Sequence, residues 1–527
     1  MTYGKSAPPL RTRPARDMAG PASAAGVLSR RFWLDHAPLI ALCLLPVLLY
    51  LPALASPFER DEGVYATIAQ GLLDGKVPYR DLFDNKPPLV YGWYAFSFLL
   101  FGESVVAPRI VAALLLSFTT LSLFSQVRMV LPRGVAYVAA GLFALSTGLP
   151  FVALHANTEA YMLLPLVTSL AAFTIGMRRG RLGWFFLAGA LGGLAMMTKQ
   201  VAVWNLVALA LVASWWRWRS GGVGWRGLTP AACLVTGAAA AMALVAVPFA
   251  ATGALDDFLY ANVAYNWLYV GVLTYGERLA KGGEGLLFFL GVSAPLVAGA
   301  VAGFLFIWRR RSRAADYLFI LWALASLAGV ATGGRFFPHY FLQLLPAMAV
   351  LTAVVVYDRF RKRDIWAIPR PALVLALLLV AISLATNAVL YLAPRAAEQR
   401  VAESVFHQKE WESASQALGV YIQERTAPED TIFNFGREAQ LYFYADRRPA
   451  VRYMSDWPYW WDETSLTQTI EALRQAKPVY VIDSALPPLF EDYAQYHPPA
   501  FQSFLSENYD YVGRVYFADV YRLKEGS

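Results

Sequence analysis

The segment from Phe58 to Trp93, FERDEGVYATIAQGLLDGKVPYRDLFDNKPPLVYGW, carries four Asp, two Glu, two Lys and two Arg directly after the first long apolar run of the chain. Its surroundings make that charge unusual. Of 527 residues, 57% are hydrophobic and only 16% are charged. Apolar runs of roughly 17 to 25 residues recur along the chain, the length at which a helix crosses a hydrocarbon layer. The chain reads as a polytopic α-helical membrane protein, and the charged segment as a loop at one membrane face.

The first run, 37–55, follows a basic N-terminal stretch and is expected to remain as an uncleaved span. Further spans are expected near 109–126, 134–150, 159–177, 182–197, 201–216, 229–252, 285–308, 316–332, 338–357 and 371–393. With a cytoplasmic N-terminus, the loops on that side hold Arg128/Arg133, Arg178/Arg179/Arg181, Arg217/Arg219/Arg226, Arg309/Arg310/Arg311/Arg313 and Arg359/Arg361/Lys362/Arg363/Arg370. The short loops opposite hold only Lys199, Arg278, Lys281 and Arg335. This alternation obeys the positive-inside rule. The formal charge of +8 thus reads as a topology signal rather than as a nucleic-acid surface.

Leu89–Phe101 is apolar but too short to span, so it reads as a re-entrant or interface-lying helix, and the total is about 11 to 13 transmembrane helices. Residues 1–393 then form a membrane domain whose external loop is 56–108. Residues 394–527 alternate helical and strand-like periods and read as a soluble α/β domain on the side opposite the Arg clusters. Cys43 and Cys233 lie inside apolar runs, which supports neither a disulfide nor a zinc site.

The external face collects the ionisable groups. Asp61 and Glu62 open an amphipathic pattern with Val64, Tyr65, Ile68 and Leu72 at helical spacing. Lys86 precedes Pro87 and Pro88, which hold the chain extended. Tyr79, Asp84, Asn157, Glu159, Lys199, Arg335, His339 and Tyr340 fall in loops of the same face. Bland readings stand beside functional ones: Asp61 as a helix cap, Lys86 and Lys199 snorkelling to headgroups, Arg335 with His339 and Tyr340 as an interfacial anchor. Carboxylates and cations on one membrane face suit transfer from a phosphate-linked lipid. There the cations hold the departing phosphate and a carboxylate takes the proton of an attacking hydroxyl. The spans lack midplane charges, which argues against a transporter.

RDEGVYATIAQGLLDGKVPYRDLFDNKPPL followed by FGESVVAPRI resembles the first external loop of the polytopic type C glycosyltransferases, in the bacterial branch of protein O-mannosyltransferase-like enzymes and aminoarabinose transferases. GGRFFPHYFLQLLPAMAVL and IFNFGREAQLYFYADRRPAVRY are similar to that branch's late external loop and C-terminal domain. The resemblance implies transfer of a sugar from a polyprenyl-phosphate donor to a cell-envelope acceptor, lipid, glycan or protein, at the periplasmic face of a bacterial inner membrane. By the same resemblance Asp61 and its partner Glu62 are the catalytic pair, and Lys86, Lys199, Arg335 and His339 contact the donor phosphate. From their place on the same face, Tyr65, Tyr79, Asp84, Asn157, Glu159 and Tyr340 are expected to line the substrate space. No cofactor is required, though Asp81, Asp84 and Glu159 could hold a divalent cation. The chain departs from the aminoarabinose transferases at Asn85, where they carry an acidic residue, and at Gly63 and Val64, where they carry an arginine nearby. An oligosaccharide transferase using a pyrophosphate-linked donor is the nearest alternative.

Overall fold

In a computed structural model, the described residues are 30–149, 152–219, 221, 224–310, 314–362, 411–460, 463–484 and 498–525. The described residues from 42 onward form one compact unit.

The helices follow the apolar runs. In chain order they are α1 (Arg30–Tyr50), α2 (Arg60–Leu73), α3 (Leu89–Phe101), α4 (Val106–Val130), α5 (Arg133–Ser146), α6 (Thr158–Arg179) and α7 (Leu182–Met196). They continue with α8 (Val203–Arg219), α9 (Thr229–Ala251), α10 (Leu255–Leu259), α11 (Tyr265–Gly271), α12 (Tyr275–Arg310), α13 (Ala314–Thr332) and α14 (Leu345–Lys362). Among the described residues, seven helical segments are long and apolar enough to cross a membrane, and four shorter apolar helices accompany them. Ten of the eleven expected spans are therefore helices; the eleventh, 371–393, lies outside the described residues, as does the expected boundary at 393/394. Leu89–Phe101 is a separate helix of 13 residues. At 1.5 Å per residue it is about 20 Å long, short of the roughly 30 Å hydrocarbon core.

Between helices in lipid there is no hydrophobic drive, so close approach and interhelical hydrogen bonds do the work. A Cβ on Gly189 would lie 1.8 Å from the Leu234 carbonyl oxygen, and one on Gly237 would lie 2.0 Å from that of Phe186. This close approach lets α7 and α9 meet backbone to backbone. Gln126 donates to Thr174 Oγ1 at 2.8 Å, and Ser169 donates to the Ala188 carbonyl at 2.6 Å, tying α4 to α6 and α6 to α7.

The C-terminal region contains α15 (Trp411–Gln423), β1 (Thr431–Phe435), α16 (Gln440–Ala445), β2 (Arg448–Pro449), α17 (Glu463–Ala476), β3 (Tyr480–Asp483), α18 (Pro499–Asn508), β4 (Tyr509–Val515) and β5 (Ala518–Leu523). The sheet order is β2-β1-β3-β5-β4, parallel across β2, β1 and β3 and antiparallel thereafter. β1 and β3 are buried on both faces, as central parallel strands are. Phe433, Phe435, Leu473, Val481, Phe501 and Phe504 form the core. The expected α/β domain is present. The closing β4–β5 hairpin did not stand out in the sequence because β4 is largely exposed and carries a bulge between Tyr511 and Gly513.

Candidate active site

The site begins with the cap of α2. Glu59, not Asp61, is the N-cap, and it forms a capping box with Glu62. Asp61 is thereby released from the capping role that its position suggested.

At 100° per residue, α2 presents three sectors. Glu62 lies in the sector facing the membrane bundle and is fully buried. Arg109, at the start of α4, donates Nε to Glu62 Oε1 at 3.1 Å and Nη2 to Oε2 at 2.6 Å. The Ala156 amide donates to the same carboxylate at 2.8 Å, and the Glu59 amide at 3.2 Å. Arg109 spends its remaining donors on the carbonyls of Ala53, Leu54, Ser56 and Pro57. Burial alone would push the Glu62 carboxyl up, but the adjacent guanidinium holds it well below the usual carboxylate range. The sequence pairs Glu62 with Asp61 in catalysis. The geometry instead makes Glu62 a pin that joins α2, α4 and the loop before α6, with both oxygens occupied.

Asp61 lies in the second sector and its side chain is 38% exposed. Its Oδ2 lies 3.9 Å from Lys86 Nζ, and the Tyr65 hydroxyl donates to it at 3.4 Å. Burial opposes ionisation of Asp61, but Lys86, and after it His339 and Lys199, hold its carboxyl below the ordinary value. Lys86 is held charged in return: burial opposes the charge, and Asp61 and Asp84 outweigh it.

The backbone around Lys86 is fixed from several directions. The Tyr79 and Tyr91 hydroxyls donate to the Lys86 carbonyl at 2.8 and 3.1 Å. Tyr79 has φ +71° and is fully buried against Phe249 and Phe258, so it supports the lysine rather than lining a substrate space as its loop position suggested. Asp84 accepts from the Asn85 amide at 2.7 Å and the Tyr91 hydroxyl at 2.8 Å. The Asn85 carbonyl accepts from Asn266 at 2.8 Å and Gln200 at 3.1 Å, anchoring this turn to α11 and to the end of α7.

Glu159, at the start of α6, is ion-paired with Lys199, just after α7. Lys199 Nζ also sits 3.9 Å from the centre of the Tyr340 ring. His339 stacks on Phe337 at 5.8 Å, and Arg335 lies over the Tyr269 ring at 4.2 Å. His339 and Lys199 thus act on the Asp61 carboxylate, while Lys199 is already engaged by Glu159. Asn157, the N-cap of α6, makes no side-chain cap bond, and among the described residues neither of its buried amide atoms has a hydrogen-bond partner. No group of three or more His, Cys, Asp or Glu able to hold a metal occurs among the described residues, so Asp81, Asp84 and Glu159 do not converge as a cation site.

The starts of α4 and α6 and the end of α7 thus meet at one end of the bundle. Arg128, Arg133, Arg178, Arg179 and Arg181 lie at the opposite end, where Arg178 donates to the Met129 carbonyl. This reproduces the segregation of charge expected from the loops. Arg109 escaped sequence reading because a lone arginine at the start of a span resembles an interface residue.

Comparison with solved structures finds the same architecture. ArnT from Cupriavidus metallidurans bound to undecaprenyl phosphate superposes with a TM-score of 0.56 at 16% identity, covering 94% of this chain and 99% of that one. The chain has the type C glycosyltransferase fold. ArnT in the apo state matches this fold with a TM-score of 0.55 at 16% identity, covering 93% and 98% of the two chains. The oligosaccharyltransferase of Archaeoglobus fulgidus in complex with Zn and sulfate matches at 0.51 and 16%, covering 85% and 67%. Residues 85–250 match the family described as dolichyl-phosphate-mannose-protein mannosyltransferase, a stretch of the type C fold that includes Lys86, Arg109, Glu159 and Lys199. No curated protein matches the chain in sequence.

Proposed function

We propose that the chain transfers a sugar from a polyprenyl-phosphate carrier to a hydroxyl of a cell-envelope acceptor, at the periplasmic face of a bacterial inner membrane. The observation that carries this reading is the half-exposed Asp61 carboxylate 3.9 Å from Lys86, bordered by the loop that bears Arg335 and His339. The acceptor oxygen attacks the anomeric carbon in line, the bond from that carbon to the phosphate oxygen breaks, and the hydroxyl proton passes to Asp61. The configuration inverts, and the carrier departs as a phosphomonoester whose growing charge is stabilised by Lys86 with Arg335 and His339. The fold shared with ArnT crystallised with undecaprenyl phosphate supports a lipid-phosphate donor.

Purified protein supplied with sugar-loaded undecaprenyl phosphate and a cell-envelope extract as acceptor should release free undecaprenyl phosphate, and Asp61→Asn should stop release without loss of fold. Release that persists in Asp61→Asn, or no release by wild type across a panel of loaded carriers, overturns the reading. The match to the Archaeoglobus fulgidus oligosaccharyltransferase favours a second reading, transfer of a preassembled glycan. Activity abolished by EDTA and restored by a divalent cation would select it.

A further inference from the structure

The third sector of α2 faces the C-terminal region. Arg60, Gly63 and Thr67 fall within about 60° of one another on the helix, while Asp61 and Tyr65 fall on the site side. Arg60 Nε lies 2.8 Å from Oε1 of Glu438, whose side chain is almost wholly buried. Oε2 of that carboxylate accepts from Gln440 at 2.5 Å and Ser415 at 3.3 Å, so the residue that grips α2 is itself fixed to α15 and α16. Thr67 Oγ1 is 3.3 Å from the Ala439 carbonyl. Gly63 meets the start of α16 directly: a Cβ there would lie 2.5 Å from Gln440 Cβ and 2.6 Å from its Cα and N. Flanking contacts continue the seam, with the Phe58 amide donating to the Tyr444 hydroxyl at 2.6 Å and Arg448 pairing with Asp74 at 2.5 Å.

We propose that Glu438 and the start of α16 are positioning elements for Asp61: the C-terminal domain, through Arg60 and Gly63, sets the distance between Asp61 and Lys86. Asp61 and Lys86 sit on different segments. The Lys86 carbonyl is held by Tyr79 and Tyr91 and the neighbouring Asn85 carbonyl by Gln200 and Asn266, with Phe83 further back bonded to the Arg452 carbonyl, whereas α2 is held between Arg109 and α16. A shift confined to the start of α16 therefore moves Asp61, carried on α2, more than it moves Lys86. Gly63 follows from this contact, because only a residue without a side chain lets the two helices touch.

The proposal rests on the reading of Asp61 as the acceptor-positioning carboxylate. Two readouts keep its failure distinct from failure of that reading: turnover of sugar-loaded undecaprenyl phosphate, and hydrogen exchange of α2 amides, which needs no activity. Glu438→Ala and Gly63→Ala should lower kcat by about 10- to 100-fold, the scale of a misplacement near 1 Å, with donor KM within about threefold of wild type. In both variants α2 amides should exchange faster, while those of α6 and α7 stay at wild-type rates. Glu438→Gln keeps one acceptor oxygen for Arg60 and should recover part of the turnover. Arg474→Ala, which breaks an exposed pair with Glu507 elsewhere in the domain, should match wild type and serves as the control. Wild-type α2 exchange in both Glu438→Ala and Gly63→Ala would overturn the proposal, whatever the turnover. So would a rise in donor KM matching the fall in kcat/KM. If wild type itself turns over no donor, the transferase reading fails while the exchange arm still decides whether α16 holds α2.

Discussion

Glu62 and Asp61 are neighbours in sequence with opposite expected responses to substitution. In Arg109→Ala, Glu62 loses two charge-assisted bonds, at 3.1 and 2.6 Å, and keeps the amides of Ala156 and Glu59, with His155 Nδ1 3.7 Å away. The carbonyls of Ala53, Ser56 and Pro57 lose their donor as well. Leaving one partner of a buried pair uncompensated costs about 3–5 kcal/mol. Glu62→Gln is milder, about 1–3 kcal/mol, because Arg109 keeps its bonds to the carbonyls. Combining Glu62→Gln with Arg109→Ala should recover about 1–3 kcal/mol relative to the sum of the single costs, since no unpaired carboxylate remains. Asp61→Asn, at a half-exposed site, should change stability by less than about 0.5 kcal/mol yet lower turnover by about 100- to 10,000-fold. Thermal challenge followed by size-exclusion chromatography reads the stabilities, and carrier release per folded molecule reads the turnover. Abolished turnover in Glu62→Gln protein that survives heating as wild type does would refute the pin role, for Glu62 would then act on substrate.

Three further outcomes follow from the same geometry. Lys86→Ala should raise donor KM at least tenfold, and Lys86→Arg should recover part of it, as titration with undecaprenyl-phosphate sugar would report; an unchanged KM removes Lys86 from the phosphate site. Asn157→Ala removes a buried amide with no bond to lose, so the apo protein should be as stable as wild type or more stable by about 1 kcal/mol; a heat-labile variant would show that the amide is satisfied in the folded protein. Asp61 and Glu62 both have folded-state pKa values below their unfolded ones, so their contribution is complete above the unfolded carboxylate range near about 4 and is lost as pH falls below it. Heat resistance should hold from neutral pH to about 5 and decline below about 4, and the low-pH decline should shrink in Glu62→Gln.

Much of this was legible in the amino-acid order. Hydrocarbon cannot hydrogen-bond a peptide group, so an apolar run of sufficient length has little alternative to a helix, and the described spans appear where the runs lie. The side on which Asp61, Lys86, Glu159, Lys199 and Arg335 gather was also legible, because arginine clusters mark alternate loops. The grouping of RDE with KPP was legible as chemistry, since two prolines fix where Lys86 leaves the chain.

What the order of residues left open was the division of labour among them. Glu62 and Asp61 are adjacent letters of like charge. Only a rotation of 100° about α2, together with Arg109 arriving from 47 positions away, makes one a structural pin and leaves the other half-exposed beside Lys86. Gly63 read as a departure from related loops, and Glu438 as one acidic residue among many. Their meaning lies in a contact across more than 370 positions, where two backbones approach too closely for a side chain. Charge and hydropathy are local and additive along the chain, so the sequence alone determined the membrane architecture and the face on which the charged groups collect. Which carboxylate stays half-exposed, and what holds it in place, depends on pairwise distances between remote segments, and those only the tertiary structure decided.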